Sequence, residues 1–311
     1  MEFNHIPVMS KQVIEFLNIK QDGVYVDGTI GGAGHSAQII DNLSEKGTLI
    51  GIDQDETAIK FAQARLSHIA PRLILVNDNF KNIKHIVNEN GITKVDGILL
   101  DLGVSSFQLD NPERGFSYQN DAPLDMRMNQ NSNLTAEMIV NEYDRKSIEH
   151  IIKKFGEERW AARIATFIES YRKTERIKTT FQLVDIIKAA IPASARRTGP
   201  HPAKRTFQAL RIAVNSELEI LKHALSDCID ILEKGGRLCV IAFHSLEDTA
   251  VKNTFAKYAH RCSCPPDFPV CVCGGSPIVR IITGKAIQPC TQEIASNARA
   301  RSAKFRVVEK I

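Results

Sequence analysis

Three aspartates, Asp27, Asp53 and Asp101, each close a short apolar run, and a cluster of glycines follows the first of them. Val24-Tyr25-Val26 suits a buried parallel strand, and Asp27 ends it just before Gly28, Gly31, Gly32 and Gly34. A turn without Cβ atoms lets a nucleotide lie against the backbone at the carboxyl edge of a sheet, where open α/β folds bind ligands. Gly32-Ala33-Gly34-His35-Ser36-Ala37 fits the pattern G-x-G-x-x-A, and Asp53 lies 21 residues beyond Gly32 at the end of the next apolar run. A carboxylate in that place accepts from two ribose hydroxyls, which serves NAD and S-adenosylmethionine equally. Asp27 favours the second: it can meet the cationic amino-acid end of S-adenosylmethionine but would lie near the negative pyrophosphate of NAD. Phe80, just past a third strand, can hold an adenine ring, and Asp101 ends a fourth strand at the same rim.

Positioning these groups takes alternating strands and helices. A helical pattern through Val13 and Leu17 precedes the first strand; helices are expected at Ser36–Leu43 and Glu56–Leu66, and strands at Thr48–Asp53, Leu73–Val76 and Val95–Asp101. After Ser106 the alternation stops. Asn111 to Met128 reads as a long ordered loop, and helical patterns follow at Ala136–Asn141, Ser147–Phe155, Arg159–Tyr171 and Phe181–Ala190. From Lys204 one long helix is expected through Leu210, Val214, Leu221 and Ile229, ended by Gly235 and Gly236. A fifth strand, Arg237–Phe243, then delivers His244 to the rim near Asp101, and Val279–Ile282 with Phe305–Val308 complete the sheet as an antiparallel pair at one edge. The domains expected are therefore an α/β sheet domain, 1–106 with 213–311, and an inserted helical domain, 107–212.

Length and composition are those of an ordinary globular protein of 311 residues. No apolar run reaches membrane-spanning length, and Met1 to His5 lacks the basic and apolar regions of a signal peptide, so a cytoplasmic location is expected. The net charge of +4 conceals an asymmetry: Arg145 to Arg211 holds 16 Lys and Arg against 6 Asp and Glu. A basic middle in a mildly acidic body suggests contact with a polyanion, with Arg196, Arg197, Lys204 and Arg205 as leading candidates for phosphates. The seven cysteines come without a secretion signal, which favours thiols or metal ligands over disulfides. Cys262, Cys264, Cys271 and Cys273 form two Cys-x-Cys pairs that can enclose a zinc ion.

The chain resembles the bacterial ribosomal RNA small subunit methyltransferase H, or MraW-type, family over nearly its whole length. The carriers are His5-Ile6-Pro7-Val8, Asp27-Gly28-Thr29, Gly34-His35-Ser36, Asp101-Leu102-Gly103-Val104-Ser105-Ser106, Arg114-Gly115-Phe116-Ser117, Pro123 to Met128, Arg205 to Ala209 and Phe243 to Asp248. The resemblance implies a Rossmann-like class I methyltransferase sheet whose inserted domain recognises RNA. It implies S-adenosylmethionine as methyl donor and, as substrate, the N4 amine of a cytidine in the decoding region of 16S ribosomal RNA, free or in the small ribosomal subunit. Cofactor contacts carried over are Ala33, Gly34, His35, Asp53, Phe80, Asp101 and Gln108. Enzymes that methylate amino groups commonly place prolines after the acidic residue of the fourth strand, where this chain has Leu102 and Gly103. Asp101 is the expected acceptor for the amine, with His244 or Asp125 sharing the role. The family is not one of metalloenzymes, so a metal-independent enzyme with reduced cysteines is expected.

Overall fold

The computed structural model describes residues 7–67, 71–197, 199–260 and 275–311. His5 and the four cysteines of the Cys-x-Cys pairs lie outside them. The chain forms two compact units, Met1–Gly103 with Leu218–Ile311, and Val104–Glu217, against the crossings at 106 and 213 expected from sequence. The first unit runs α1 (Ser10–Leu17), β1 (Val24–Asp27), α2 (Gly34–Ile40), β2 (Thr48–Asp53), α3 (Glu56–Arg65), β3 (Arg72–Asn77), α4 (Ile83–Glu89) and β4 (Val95–Asp101). The second holds α5 (Ser106–Asp110), α6 (Ala136–Glu142), α7 (Arg145–Gly156), α8 (Ala161–Arg172), α9 (Thr180–Ala190) and α10 (Lys204–Asn215). The chain returns to the first unit through α11 (Glu217–Ile231), then β5 (Leu232–Ala242), α12 (Ser245–Ala259), β6 (Val279–Ile281), α13 (Thr291–Ser296) and β7 (Lys304–Lys310).

Among the described residues the sheet has seven strands in the order β3-β2-β1-β4-β5-β7-β6. The first five run parallel, and β7 is antiparallel to both β5 and β6. Side chains alternate between two cores, as strand geometry requires. Val26, Ile50, Ile98 and Leu100 meet Ile83, Ile86 and Val87 of α4, Leu221 and Leu225 of α11, and Val251 and Phe255 of α12. Tyr25, Leu49 and Leu99 face the other way, towards Val13 and Leu17 of α1, Ile39 and Ile40 of α2, and Ala62 of α3. Both faces of the parallel sheet are covered, so its strands read as continuous apolar runs. In the second unit, α6 to α10 enclose a separate core that includes Met126, Ile139, Ile152, Ile164, Leu183 and Leu210.

The single long helix expected from Lys204 is two. Ser216 adopts a left-handed conformation, φ 49°, that closes α10 before α11 begins. The apolar spacing runs through the break because one stripe serves two cores: Leu210 and Val214 belong to that of the second unit, Leu221 and Leu225 to that of the first. Nor do Gly235 and Gly236 end the helix. They lie inside β5, where the pairing with β4 shifts register, and a Cβ on Gly236 would stand 2.8–3.1 Å from the carbonyl oxygens of Glu233, Asp96 and Val95. Such close backbone approach is what glycine permits at an irregular strand.

Candidate active site

The glycine turn after β1 is threaded between its neighbours. The Gly28 N–H donates to the Leu99 carbonyl at 2.9 Å and the Ile30 N–H to the Ile52 carbonyl at 3.0 Å. Gly31 takes φ +46° and donates its N–H to Asp53 Oδ2 at 2.9 Å; Asp53 Oδ1 accepts the Asp55 N–H at 2.9 Å. Each carboxylate oxygen of Asp53 keeps a further lone pair for a hydroxyl. Burial pushes this carboxyl up to about 6. Ala33, φ 56°, turns the chain into α2. A Cβ on Gly28 would lie 2.5 Å from Leu100 Cδ2 and 3.4 Å from Phe80 Cβ, which brings the half-buried Phe80 against the start of the turn.

Asp27 is engaged inside the turn. It accepts the Thr29 N–H at 3.1 Å and the Ser36 hydroxyl at 2.6 Å, it is 1% exposed, and burial holds its carboxyl above the usual range. Thr29 Oγ1 in turn accepts the Asp101 N–H at 2.7 Å, tying the end of β4 to the turn. The Asp101 side chain is different. Its Oδ2 lies 3.6 Å from His35 Nε2, beyond hydrogen-bond distance, and its Oδ1 is buried without a partner. Both ring nitrogens of His35 are also buried and unpartnered. A buried polar atom left unpaired costs about 1–3 kcal/mol, so three at the carboxyl rim of a parallel sheet mark the place of a polar ligand.

The antiparallel β7 separates this sheet from the six-stranded parallel order 3-2-1-4-5-6 that binds dinucleotides. A family model described as the MraW methylase family matches residues 2–311. The chain belongs to the MraW methylase family. It is 57% identical over 313 residues to ribosomal RNA small subunit methyltransferase H of Ruminiclostridium cellulolyticum, 59% over 313 residues to that of Acetivibrio thermocellus, and 55% over 312 residues to that of Heliobacterium modesticaldum. Each comparison covers 100% of both chains. The rim of this MraW sheet suits S-adenosylmethionine: Asp53 can take the ribose hydroxyls, Phe80 the adenine, and the unpartnered nitrogens of His35 the polar remainder, which leaves Asp101 Oδ1.

Of the other expected site residues of this MraW chain, Asp125 and Gln108 are committed locally, and His244 is so in part. His244 caps α12: its Nδ1 accepts the Glu247 N–H at 3.3 Å, while Glu247 Oε2 accepts the Phe243 N–H at 2.8 Å. A neutral imidazole accepting at Nδ1 carries its proton on Nε2; that atom is buried without a hydrogen-bond partner although Glu247 Oε1 lies 3.1 Å away, so the ring has a donor to spare and no acceptor for an amine. In the second unit Asp125 is forked to Arg127, with Nε–Oδ1 at 2.9 Å and Nη2–Oδ2 at 2.7 Å. Gln108 is buried in α5 and takes part in a capping box, accepting the Ser105 N–H at 3.2 Å. Arg196, Arg197, Lys204 and Arg205 are all exposed; Arg196 donates to the Ile191 carbonyl at 3.0 Å and Arg205 to the Glu157 carbonyl at 3.2 Å. Thr29, Ser36 and Arg65, which donates to the Gly32 carbonyl at 2.7 Å, hold the turn from behind; none of the three is among the site residues expected from sequence. A hydroxyl one or two residues past a strand-end aspartate is the signal that could have found Thr29.

Proposed function

We propose that this protein transfers the methyl group of S-adenosylmethionine to the N4 amine of a cytidine in the decoding region of 16S ribosomal RNA. The observation that carries the reading is the set of unpartnered buried atoms, Asp101 Oδ1 and both nitrogens of His35, beside the Asp53 carboxylate at one strand-end rim. Bound at that rim, the sulfonium supplies an electrophilic methyl carbon. The rest is alignment of nucleophile and methyl group by this chain's own residues. Asp53 accepts from the ribose hydroxyls and, through the Gly31 N–H, keeps the turn in register with the ligand it holds. Asp27 acts indirectly, fixing Thr29 and Ser36 and through Thr29 the end of β4.

The N4 amine is a poor nucleophile because its lone pair is conjugated into the ring. Asp101 Oδ1 accepts from one of its N–H groups, which localises the lone pair and offsets the positive charge that develops as the N–C bond forms and the methyl–sulfur bond breaks; the electron pair of the broken bond leaves on the neutral thioether, and the surplus amine proton passes to solvent. His244 and Asp125 serve as positioning residues, the first at the start of α12 and the second in the loop before α6. The exposed arginines and lysine of the second unit meet RNA phosphates. The reaction belongs to the cytoplasm, where ribosomal subunits are assembled; no helix among the described residues is long and apolar enough to cross a membrane. Incubating the full chain with methyl-labelled S-adenosylmethionine and either 16S RNA or small subunits, then digesting to nucleosides, should yield N4-methylcytidine. Label on another base, or on neither substrate, would overturn the proposal.

A further inference from the structure

The second unit contains a cavity of about 410 Å³ that the rim chemistry does not use. One wall is a single face of α9: Phe181, Val184, Asp185 and Lys188 follow the helical spacing of three, four and seven residues. The face is held in place by the capping box of Thr179 with Gln182 and by the Phe181 N–H, which donates to Asp121 Oδ1 at 3.2 Å. Two further lining residues, Tyr118 and His201, are aromatic. Tyr118 stacks on His201 with ring centroids 4.6 Å apart and planes 5° from parallel, and it meets Phe207 edge-on at 5.7 Å and 85°. The His201 ring is set by its own backbone, since Nδ1 accepts the Ala203 N–H at 3.3 Å.

Phe181 is 42% exposed, whereas the second unit buries Phe116 and Phe207. A large ring left in water and two stacked rings lining the same cavity offer it flat surfaces. The polar groups around it are of mixed kind: Lys188 lies 3.7 Å from Asp185, a long and exposed pair, and the Gln119 amide completes the edge. Flat walls, a carboxylate and an amide for ring-edge hydrogen bonds, and a cation for a phosphate match one chemical class. We propose that this cavity binds an unpaired RNA nucleobase, stacked against Phe181 and the Tyr118–His201 pair, with Lys188 on the adjoining phosphate. The site rests on the RNA-substrate reading above, and it takes a nucleotide other than the cytidine that is methylated. The basic surplus favours RNA over a protein partner, because exposed Arg197 and Lys204 flank His201 in the same stretch of chain. Burial and the Lys188 charge hold His201 below its usual range, so its ring is neutral near pH 7 and stacks without carrying a charge into the site.

The test uses the full-length protein and a short fluorescein-labelled single-stranded oligoribonucleotide, alongside the same backbone made abasic. Phe181→Ala should weaken binding of the intact strand by about 5- to 100-fold with the salt slope unchanged, and Phe181→Trp should restore it. Lys188→Gln should lower the salt slope by about 0.7. The abasic strand should bind weakly and be indifferent to Phe181→Ala. Equal loss on both strands, no loss on either, or a loss seen only with assembled subunits would overturn the site, the last by pointing to a protein side chain as occupant. A free mononucleotide competing as well as the strand would overturn it too. Affinity for S-adenosylmethionine checks that Phe181→Ala is folded. Failure of the wild-type chain to methylate any RNA would sink the parent reading alone, because the Phe181 effect is read from binding.

Discussion

The carboxyl rim of the sheet and the loop that precedes α6 are built from similar residues and end in opposite states. In the loop, Asp125 and Arg127 form a two-point pair, and Arg127 also donates to the Gln130 and Ser132 carbonyls at 2.9 and 2.6 Å. Arg114 donates to the carbonyls of Arg127 and Met128, both at 2.9 Å, and Asn215 accepts the Met128 N–H and donates to the Met126 carbonyl, both at 2.8 Å. Charge there is used to hold backbone. At the rim, His35 is more enclosed than the Asp125–Arg127 pair, at 7% side-chain exposure, and Asp101 about as enclosed, at 21%, yet both ring nitrogens of His35 and Asp101 Oδ1 are buried without a hydrogen-bond partner. The difference teaches that leftover hydrogen-bonding capacity marks a site where it gathers on neighbouring side chains, as on His35 and Asp101, and not where it falls on single atoms such as Trp160 Nε1 or Thr206 Oγ1.

The widest gap between the two regions should be kinetic. Asp101→Ala is expected to lower the methylation rate by about 10²- to 10³-fold at saturating cofactor, the size seen when one aligned acceptor or donor is removed from a transition state. Single-turnover transfer measures it, and full recovery on saturation would move Asp101 from chemistry to cofactor binding. Next is Asp53→Ala, which should weaken S-adenosylmethionine by about 10- to 100-fold through loss of charge-assisted hydrogen bonds. The same group sets a pH dependence. Ribose hydroxyls require the carboxylate, which is protonated below about 6, so calorimetric affinity should fall towards tenfold per pH unit below that value and binding there should release a proton. In the unliganded protein the raised value has the opposite consequence: stability decreases as pH rises from the ordinary carboxylate range through about 6, and Asp53→Asn should reduce that decrease, leaving the part due to the buried Asp27.

Smaller effects belong to the second unit. Replacing Arg196, Arg197, Lys204 and Arg205 together by glutamine should reduce the salt slope of RNA binding by about 3 while leaving cofactor affinity alone. An unaltered slope would mean that these exposed cations are only a solvated face. Smallest is Asp125→Asn. Its pair with Arg127 is only partly enclosed, at 23% and 24% side-chain exposure, so thermal unfolding should show a loss of about 1 kcal/mol and methylation should not fall as it does for Asp101→Ala. A rate loss as large as that would erase the contrast between the regions.

Much of the sheet was legible because its strands are buried on both faces and read as apolar runs closed by aspartates; Val95 to Asp101 is the clearest case. The short helices α5 and α13 were not, since five or six residues give too few turns for a period to stand out, and α4 was missed although α2 and α6, of the same seven residues, were read. Ser216 carries no signal of its own, because nothing in its type demands a left-handed backbone. At the site, Asp53 and the glycine turn followed from spacing. What separates Asp101 from Asp27 and Asp125 is the number of partners each already has, and that depends on Ser36 and Arg127 turning back on the chain; His244 differs in kind, since the atom it has left over is a donor. Tyr118 and His201 stack across 83 positions that no local pattern connects.

The interruption of the sheet by the second unit has a consequence in time. β4 is synthesised with one neighbour, β1, already made, but its other neighbour, β5, begins only at Leu232. At about 5–20 residues per second, a ribosome needs on the order of 10 s to make the stretch between them. For that interval the nascent chain presents Ile98, Leu99 and Leu100 on an open strand edge, the kind of template on which chains pair with one another. Rapid closure of α6 to α10 around their own core would shorten the tether that β5 must span, so the helical insertion also governs how long the growing sheet stays exposed to aggregation.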